Sequence, residues 1–394
     1  MIIKPRFRDF ICVTAHPDGC KKNVDMQIDY VKKDKISNKF KRVLIIGAST
    51  GYGLSSRIVS TFGWDASTIG VVFEKPGTEN RTATAGWYNT VAFERRAIEE
   101  GHYAKTINGD AFSEAIKAKT IELIKNDLGK IDLVIYSIAS PRRKHPITGE
   151  LSYSALKPVG ESFKNKSVNF HTFEVSDVEI QPANDNEIEQ TINVMGGEDL
   201  EMWVDKLLNA EVLEKGANVI SYSYIGPKIT YPIYRNGTIG KAKEDLERVS
   251  SKVNEKLKQI GGSAYISINK GLVTQSSSAI PVVPLYISLL GKVLKEKNLE
   301  EDSVQQIYRL YSEIASGNVI VDDRGRLRID DREMRADVQG KIAELWDKVT
   351  TENIQQITDI NIFRNDFFKL FGFGYEGIDY EKDSETNIEI LNLV

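Results

Sequence analysis

The chain has 394 residues, 41% of them hydrophobic, and a formal net charge of -4. That is a soluble globular composition, long enough for one large domain or two of medium size. The mild acidity and the lack of a lysine–arginine stripe count against nucleic acid as the main partner. Cys12 and Cys20 are too few for a disulfide framework. The four scattered histidines, with no HExxH pattern, give no expectation of a metal. The N-terminal stretch MIIKPRFRDFICVTAHPDG carries charges throughout. It reads as neither a signal peptide nor a membrane span, so a cytoplasmic location is expected.

In chain order, KRVLIIGA (41–48) and STIGVVFE (67–74) read as buried parallel strands. HYAKTINGDAF (102–112) and IDLVIYSIAS (131–140) hold two more. Helical spacing fills 90–100 and 112–128 between them. Residues 141–190, rich in Pro, Lys, Ser and Asn, read as an irregular insertion, and 195–215 as helical. ANVISYSYI (217–225) and SAYISINKGLV (263–273) read as strands flanking a helix at about 238–260. The stretch 284–316 is helical with a break near Asn298, and 326–349 is charged and helical over most of its length. Alternating strands and helices predict an α/β fold: a Rossmann-type doubly wound parallel sheet with helical insertions around the active site. One enlarged domain over 1–394 is expected. Its dinucleotide-binding half is 41–140, and insertions at 141–215 and 284–350 shape an acyl pocket.

The stretch VLIIGASTGYGLSSR places Gly47, Gly51 and Gly53 directly after a strand. Glycines there let the chain turn tightly and let a pyrophosphate approach backbone N–H groups at a helix N-terminus, so Gly47, Ala48, Ser49, Thr50, Gly51, Tyr52 and Gly53 are candidate dinucleotide contacts. A strand-to-helix turn without a ligand has the same pattern, and the context decides. Phe73 and Glu74 end the second strand, where an acid can bond the adenosine ribose. A carboxylate there repels a 2′-phosphate and favours NADH, a preference that Lys75 could weaken. Asp110 and Ala111 follow the third strand, within reach of an adenine amino group. Ile138 and Ala139 follow the fourth, at the edge of a nicotinamide ribose.

The segment SYSYIGPKITYPIYRNGTIGKAKEDL (221–246) carries four tyrosines and three lysines. A phenol beside a nicotinamide can donate to an oxygen that gains charge, and a nearby ammonium can lower the phenol's pKa and bond the ribose. Three pairings compete. Tyr224 with Lys228 gives Y-x3-K, but Gly226 and Pro227 oppose the helix that this spacing needs. Tyr234 pairs with Lys241 as Y-x6-K, or with Lys243 as Y-x8-K.

SYIG at 223–226, Tyr234 ten residues after Tyr224, and GKAK at 240–243 resemble the active-site region of enoyl reductases of the short-chain dehydrogenase superfamily. The Y-x8-K spacing, the chain length, GASTGYG, VMGGEDLEMW (194–203), YSYIGP and NGTIGKAK resemble the trans-2-enoyl-CoA reductase family. That family includes the long, triclosan-tolerant type of NADH-dependent enoyl-acyl-carrier-protein reductase. The resemblance spans nearly the whole chain. It implies Tyr234 as proton donor and enolate stabiliser, Lys243 on the nicotinamide ribose and Tyr224 on the substrate thioester carbonyl. Leu272, Val273 and Thr274 would line the nicotinamide pocket. Many relatives have a second lysine after Lys243, and this chain has Glu244. Lys241 reads as a solvated helix lysine.

The implied activity is NADH-dependent reduction of a trans-2-enoyl-CoA. The alternatives are the same chemistry on acyl-carrier-protein esters, for which Pro141-Arg142-Arg143-Lys144 is the compact basic patch, and a dinucleotide-sensing protein without chemistry. A ketoreductase would want the Y-x3-K pair on a helix. Met195 and Trp203 of the VMGGED region and the leucine stripe of 284–316 are expected to shape the acyl pocket. KLFGFGYEGIDYEKD (369–383) resembles a segment called flavin-binding in this family, but no phosphate-cradling glycines follow a strand there, so no flavin is expected. A monomer is expected.

Overall fold

A computed structural model describes residues 1–8, 11–34, 36–37, 39–317 and 319–394. Seven strands form the main sheet: β1 (Arg42–Ile46), β2 (Ser67–Val72), β3 (Ala104–Asn108), β4 (Ile131–Tyr136), β5 (Leu213–Ser223), β6 (Ser263–Ile268) and β7 (Arg326–Arg328). All neighbours pair in parallel, in the order β7-β6-β5-β4-β1-β2-β3. The order reverses between β1 and β4. Loops leaving those two strands therefore diverge to opposite faces and open a crevice at the strand C-termini.

The helices are α1 (Pro17–Val31), α2 (Gly51–Ile58), α3 (Ala85–Glu99), α4 (Glu114–Leu123), α5 (Asp185–Met195), α6 (Glu198–Asn209), α7 (Thr238–Lys258), α8 (Val283–Glu296), α9 (Ser303–Ser316), α10 (Ala336–Lys348) and α11 (Ile360–Lys369), with shorter turns between them. Side chains alternate across the sheet, so β1 sends Val43 and Ile45 to one apolar cluster and Leu44 and Ile46 to the other. The first cluster includes Val24 and Ile28 of α1, Phe93 of α3 and Leu310 of α9. The second includes Leu200 and Trp203 of α6 and Leu246 and Val249 of α7. Each fully buried Leu, Ile or Val contributes about 1.5–3 kcal/mol. A third cluster, centred on α8, α10 and α11, includes Ile233 and packs against Tyr234. Among the described residues no helix is long and apolar enough to cross a membrane.

Three expectations are corrected. Residues 141–190 are ordered as two antiparallel hairpins, Arg142–Lys144 with Leu151–Tyr153 and Phe163–Asn169 with Glu174–Ile180, followed by the start of α5. These strands bury few side chains, Phe163 and Val168 in the longer pair, so their polar sequence carries no clear alternation. The start of 326–349 is a strand. Arg326 sits at the sheet edge because Asp322 and Glu247 accept from its guanidinium at 2.8 and 3.1 Å. Of the helix expected over 195–215 only Glu198–Asn209 is helical: Gly196-Gly197 separates it from α5, where a side chain on Gly197 would collide with Val249 of α7, and Leu213 already begins β5. The break near Asn298 is present, with that residue at φ 54°.

Candidate active site

The glycine loop crosses the crevice between β1 and β4. Gly47 has φ 90°, and a Cβ there would lie 2.2 Å from the Ser137 carbonyl oxygen. A Cβ on Gly53 would lie 1.8 Å from the Gly47 oxygen, so the start of α2 packs directly on the end of β1. Gly51, at φ 52°, faces open space. Thr50 is the N-cap of α2 and makes no side-chain capping bond, which leaves the first N–H groups of the helix for an acceptor. Ala48 is buried and donates its N–H to Val71. The Tyr52 hydroxyl ties the loop to the Lys270 carbonyl (2.8 Å) and to Gln306 (3.0 Å).

Glu74 turns inward just past β2. Ser49 donates to one of its oxygens at 2.6 Å and Thr84 donates to the other. A side chain on Gly86 would lie 2.1 Å from Glu74 Oε1. Burial pushes this carboxyl above its ordinary pKa, against the two hydroxyl donors. Beside it, Phe73 is 74% exposed. Asp110 accepts the Phe112 N–H at 3.0 Å and shapes the turn after β3. The Ala111 carbonyl is held by Trp203 at 3.1 Å and by Lys117 at 3.0 Å. Ile138 and Ala139 follow β4, beside the Ser137 that touches Gly47.

The tyrosine-rich segment leaves β5 at Ser223. Gly226 has φ 72°, a short turn covers Lys228–Thr230, and α7 begins only at Thr238. Tyr224 and Lys228 therefore do not share a helix, as Pro227 implied. The turn that carries Tyr234 folds back on α7, because Gly240 lets Arg235 O come within 1.7 Å of where a Cβ would be. That fold-back accommodates the long Y-x8-K spacing. Tyr224 and Tyr234 pack edge to face with centroids 4.9 Å apart. The Tyr234 hydroxyl has no hydrogen-bond partner among the described residues. Nor has the Lys243 ammonium, which burial alone pulls from 10.5 to about 8. Lys241 pairs with Glu244 at 3.1 Å on the surface.

One expectation about this pair fails. Lys243 does not lower the Tyr234 phenol: burial raises it, and Glu333, when ionised, would add to the rise. Glu333 was not visible in the sequence. Fully buried, it lies 2.8 Å from the Tyr224 hydroxyl and 2.7 Å from the Tyr286 hydroxyl, and it accepts from the Gly271 N–H at 2.7 Å. Tyr286 of α8 and Lys270 of the loop after β6 face it, and Gln306 of α9 accepts the Lys270 N–H at 2.9 Å; they come together across long sequence distances, and no short motif announces them.

Leu272, Val273 and Thr274 lie in the loop after β6. Val273 packs on the cluster that Tyr234 joins, and Thr274 caps a one-turn helix through the Ser277 N–H at 3.0 Å. Met195 and the Leu285, Leu289 and Leu290 stripe belong to the same cluster. Trp203 does not. It is buried beneath the sheet, away from that cluster. The basic patch is also reduced, because Arg143 is buried against Glu198 at 2.6 Å and only Arg142 and Lys144 point outward.

Family profiles match in sequence along the chain: an NAD(P)H binding domain of trans-2-enoyl-CoA reductase over residues 2–79, and a trans-2-enoyl-CoA reductase catalytic region over 81–315. The chain belongs to the trans-2-enoyl-CoA reductase family. A trans-2-enoyl-CoA reductase [NADH] of Ruminiclostridium cellulolyticum is 54% identical over 394 residues, all of both chains. An enoyl-[acyl-carrier-protein] reductase [NADH] of Flavobacterium psychrophilum is also 54% identical, over 396 aligned positions and the full length of each. The crystal structure of Treponema denticola trans-2-enoyl-CoA reductase in complex with NAD superposes with a TM-score of 0.95 at 47% identity, covering 99% of this chain and 100% of that one.

A third profile, an enoyl reductase FAD binding domain, matches residues 321–384 of this trans-2-enoyl-CoA reductase family member. Gly372 packs 2.3 Å, by its missing Cβ, from the His16 carbonyl, and Gly374 packs against Asn365. Phe371 and Phe373 are core residues. These two glycines serve chain packing, whereas Gly377, at φ 80°, meets open space.

Proposed function

We propose that this chain reduces trans-2-enoyl-CoA thioesters such as crotonyl-CoA with NADH. The observation that carries the reading is the buried Tyr234 hydroxyl, without a hydrogen-bond partner among the described residues, linked to the glycine loop through its ring contact with Tyr224, the Gly271 turn beside Tyr224 and the Tyr52 bond to the Lys270 carbonyl. Gly47–Gly53 and the start of α2 would hold the pyrophosphate. Glu74 would bond the adenosine ribose, Phe73 and the Asp110–Ala111 turn would flank the adenine, and Ile138–Ala139 with Leu272–Thr274 would border the nicotinamide. Lys243 would bond its ribose. The dinucleotide, when bound, supplies the hydride, which goes to C3 of the enoyl thioester.

Tyr234 then donates a hydrogen bond to the thioester oxygen as charge builds on it. Its raised pKa keeps the proton in place until that charge develops. The proton passes to C2, and the phenolate is reprotonated from water. Tyr224, whose ring packs edge to face on Tyr234, would border the same oxygen. The reading carries forward a single Rossmann-like domain, since the sheet draws strands from both ends of the chain. It also carries forward a cytoplasmic monomer, which light scattering tests.

Purified protein mixed with crotonyl-CoA should oxidise NADH rapidly and NADPH slowly. Inertness with both cofactors, and with carrier-protein esters, would sink the reading. Exposed Arg142 and Lys144 favour a second reading, docking of an acidic carrier protein. A higher kcat/KM for the carrier-protein ester than for the CoA ester would establish it.

A further inference from the structure

We propose that Glu333 works as a neutral carboxylic acid whose proton turns the Tyr224 hydroxyl toward the substrate oxygen. The inference rests on the enoyl reductase reading and adds a positioning residue to it.

The direction of each hydrogen bond around Glu333 is set by groups with one possible role. The Gly271 N–H can only donate, so Glu333 Oε2 at 2.7 Å must accept. The Glu333 backbone carbonyl can only accept, so the Gln339 atom 2.7 Å from it is the amide nitrogen. That nitrogen also donates to the Tyr286 hydroxyl at 3.1 Å. Tyr286 thus accepts from Gln339 and sends its own proton to Glu333 Oε1 at 2.7 Å.

Tyr224 lies 2.8 Å from the same Oε1, and its position is the one left open. With an ionised Glu333, Tyr224 must donate to Oε1. Its single O–H is then spent and cannot serve the substrate. With a proton on Oε1, Glu333 donates to Tyr224, and the phenol proton is free for the thioester oxygen. A Cβ on Gly271 would stand 3.0 Å from the Tyr224 oxygen, so this glycine lets the loop, the carboxyl and the phenol close on one another.

The surroundings favour the neutral acid. Burial, the largest influence, raises the Glu333 carboxyl above its ordinary pKa. The titratable groups that face it are Tyr224 from the loop after β5, Tyr234 from the turn before α7, Tyr286 from α8, Tyr52 from α2 and Lys270 from the loop after β6. Lys270 is the cation among them. It makes no ion pair with Glu333 among the described residues, and burial lowers its own pKa. Asp330 acts on Tyr286 from the loop after β7 and adds negative charge nearby.

The test is the pH dependence of kcat for crotonyl-CoA at saturating NADH, where loss of the Lys243 charge is absorbed in the cofactor KM. Wild-type kcat should fall as pH rises through the Glu333 ionisation. Glu333→Ala should lower kcat roughly 10- to 100-fold. Glu333→Gln should recover part of that loss and abolish the alkaline fall. Its amide oxygen can accept from Gly271 while its nitrogen donates to Tyr224, at the expense of the acceptor for the Tyr286 proton. Tyr224→Phe should also lack the alkaline fall, and it decides the matter if Glu333→Gln does not fold. Glu333→Gln that keeps the wild-type alkaline fall, or is as slow as Glu333→Ala, would overturn the proposal. An infrared spectrum at neutral pH should show a protonated-carboxyl stretch that Glu333→Gln removes. If the wild type proves inert, the function reading falls, and the infrared band still decides the state of Glu333: its absence overturns the proposal.

Discussion

Tyr224 and Tyr234 meet edge to face, with ring centroids 4.9 Å apart and planes at 76°, yet their hydroxyls have opposite standing. The Tyr224 hydroxyl is engaged with Glu333, while that of Tyr234 has no partner among the described residues. Tyr234→Phe should lower kcat about 10²–10⁴-fold, as removal of a general acid does. Tyr224→Phe should cost less, roughly 10- to 100-fold. Because the rings touch, the double variant should lose less than the product of the two single losses. Steady-state NADH oxidation with crotonyl-CoA checks this; near wild-type kcat for Tyr234→Phe would remove it from the proposed chemistry.

Lys243 should make cofactor binding pH-dependent. Burial lowers its pKa to about 8, so the cation is present below that pH and is lost as pH rises through it. The ribose hydroxyls bind the ammonium better than the amine. The KM for NADH should therefore rise above about pH 8, and Lys243→Met should show a high KM with no such pH step. A wild-type KM that stays flat to pH 9 would contradict the placement.

Glu74 should set the cofactor preference. Ser49 and Thr84 hold its carboxylate at the edge of the glycine loop, where a 2′-phosphate would meet its charge. Glu74→Ala should raise kcat/KM for NADPH and lower it for NADH, shrinking the preference about tenfold or more. An unchanged ratio would mean that Glu74 only braces the loop.

The glycines should separate folding from binding. Gly47→Ala places a Cβ 2.2 Å from a backbone oxygen at φ 90°, so the strain should lower stability by ~1–3 kcal/mol or more and show as a lower melting temperature. Gly51→Ala meets open space at φ 52°, a left-handed conformation that costs ~1–2 kcal/mol. Its larger effect should be on NADH affinity, since the new methyl group meets open space at the start of α2, where the pyrophosphate is proposed to bind. Melting curves with and without NADH distinguish the two.

The sequence by itself determined the parallel sheet, because buried strands such as VLII at 43–46 and LVIY at 133–136 read as unbroken apolar runs. It also determined the glycine loop, since Gly47 needs a positive φ that few other residues adopt, and the exclusion of a Tyr224–Lys228 helix, since Pro227 has no N–H to give. Motif resemblance chose Tyr234 with Lys243 among three spacings. The tertiary structure decided what periodicity could not encode. The hairpins within 141–190 are polar on most positions, and the strand Arg326–Arg328 is tolerated only because Asp322 and Glu247 neutralise its first arginine. Trp203 looked like a pocket residue and proved to be core. Glu333 lies 109 residues from Tyr224, and a hydrogen bond across that separation leaves no spacing in the chain. Sequence reports local geometry well because neighbouring residues share dihedral constraints. Burial and pairing of distant charges follow from how the layers pack, and here they decide which of two adjacent tyrosines has a buried carboxyl beside its hydroxyl.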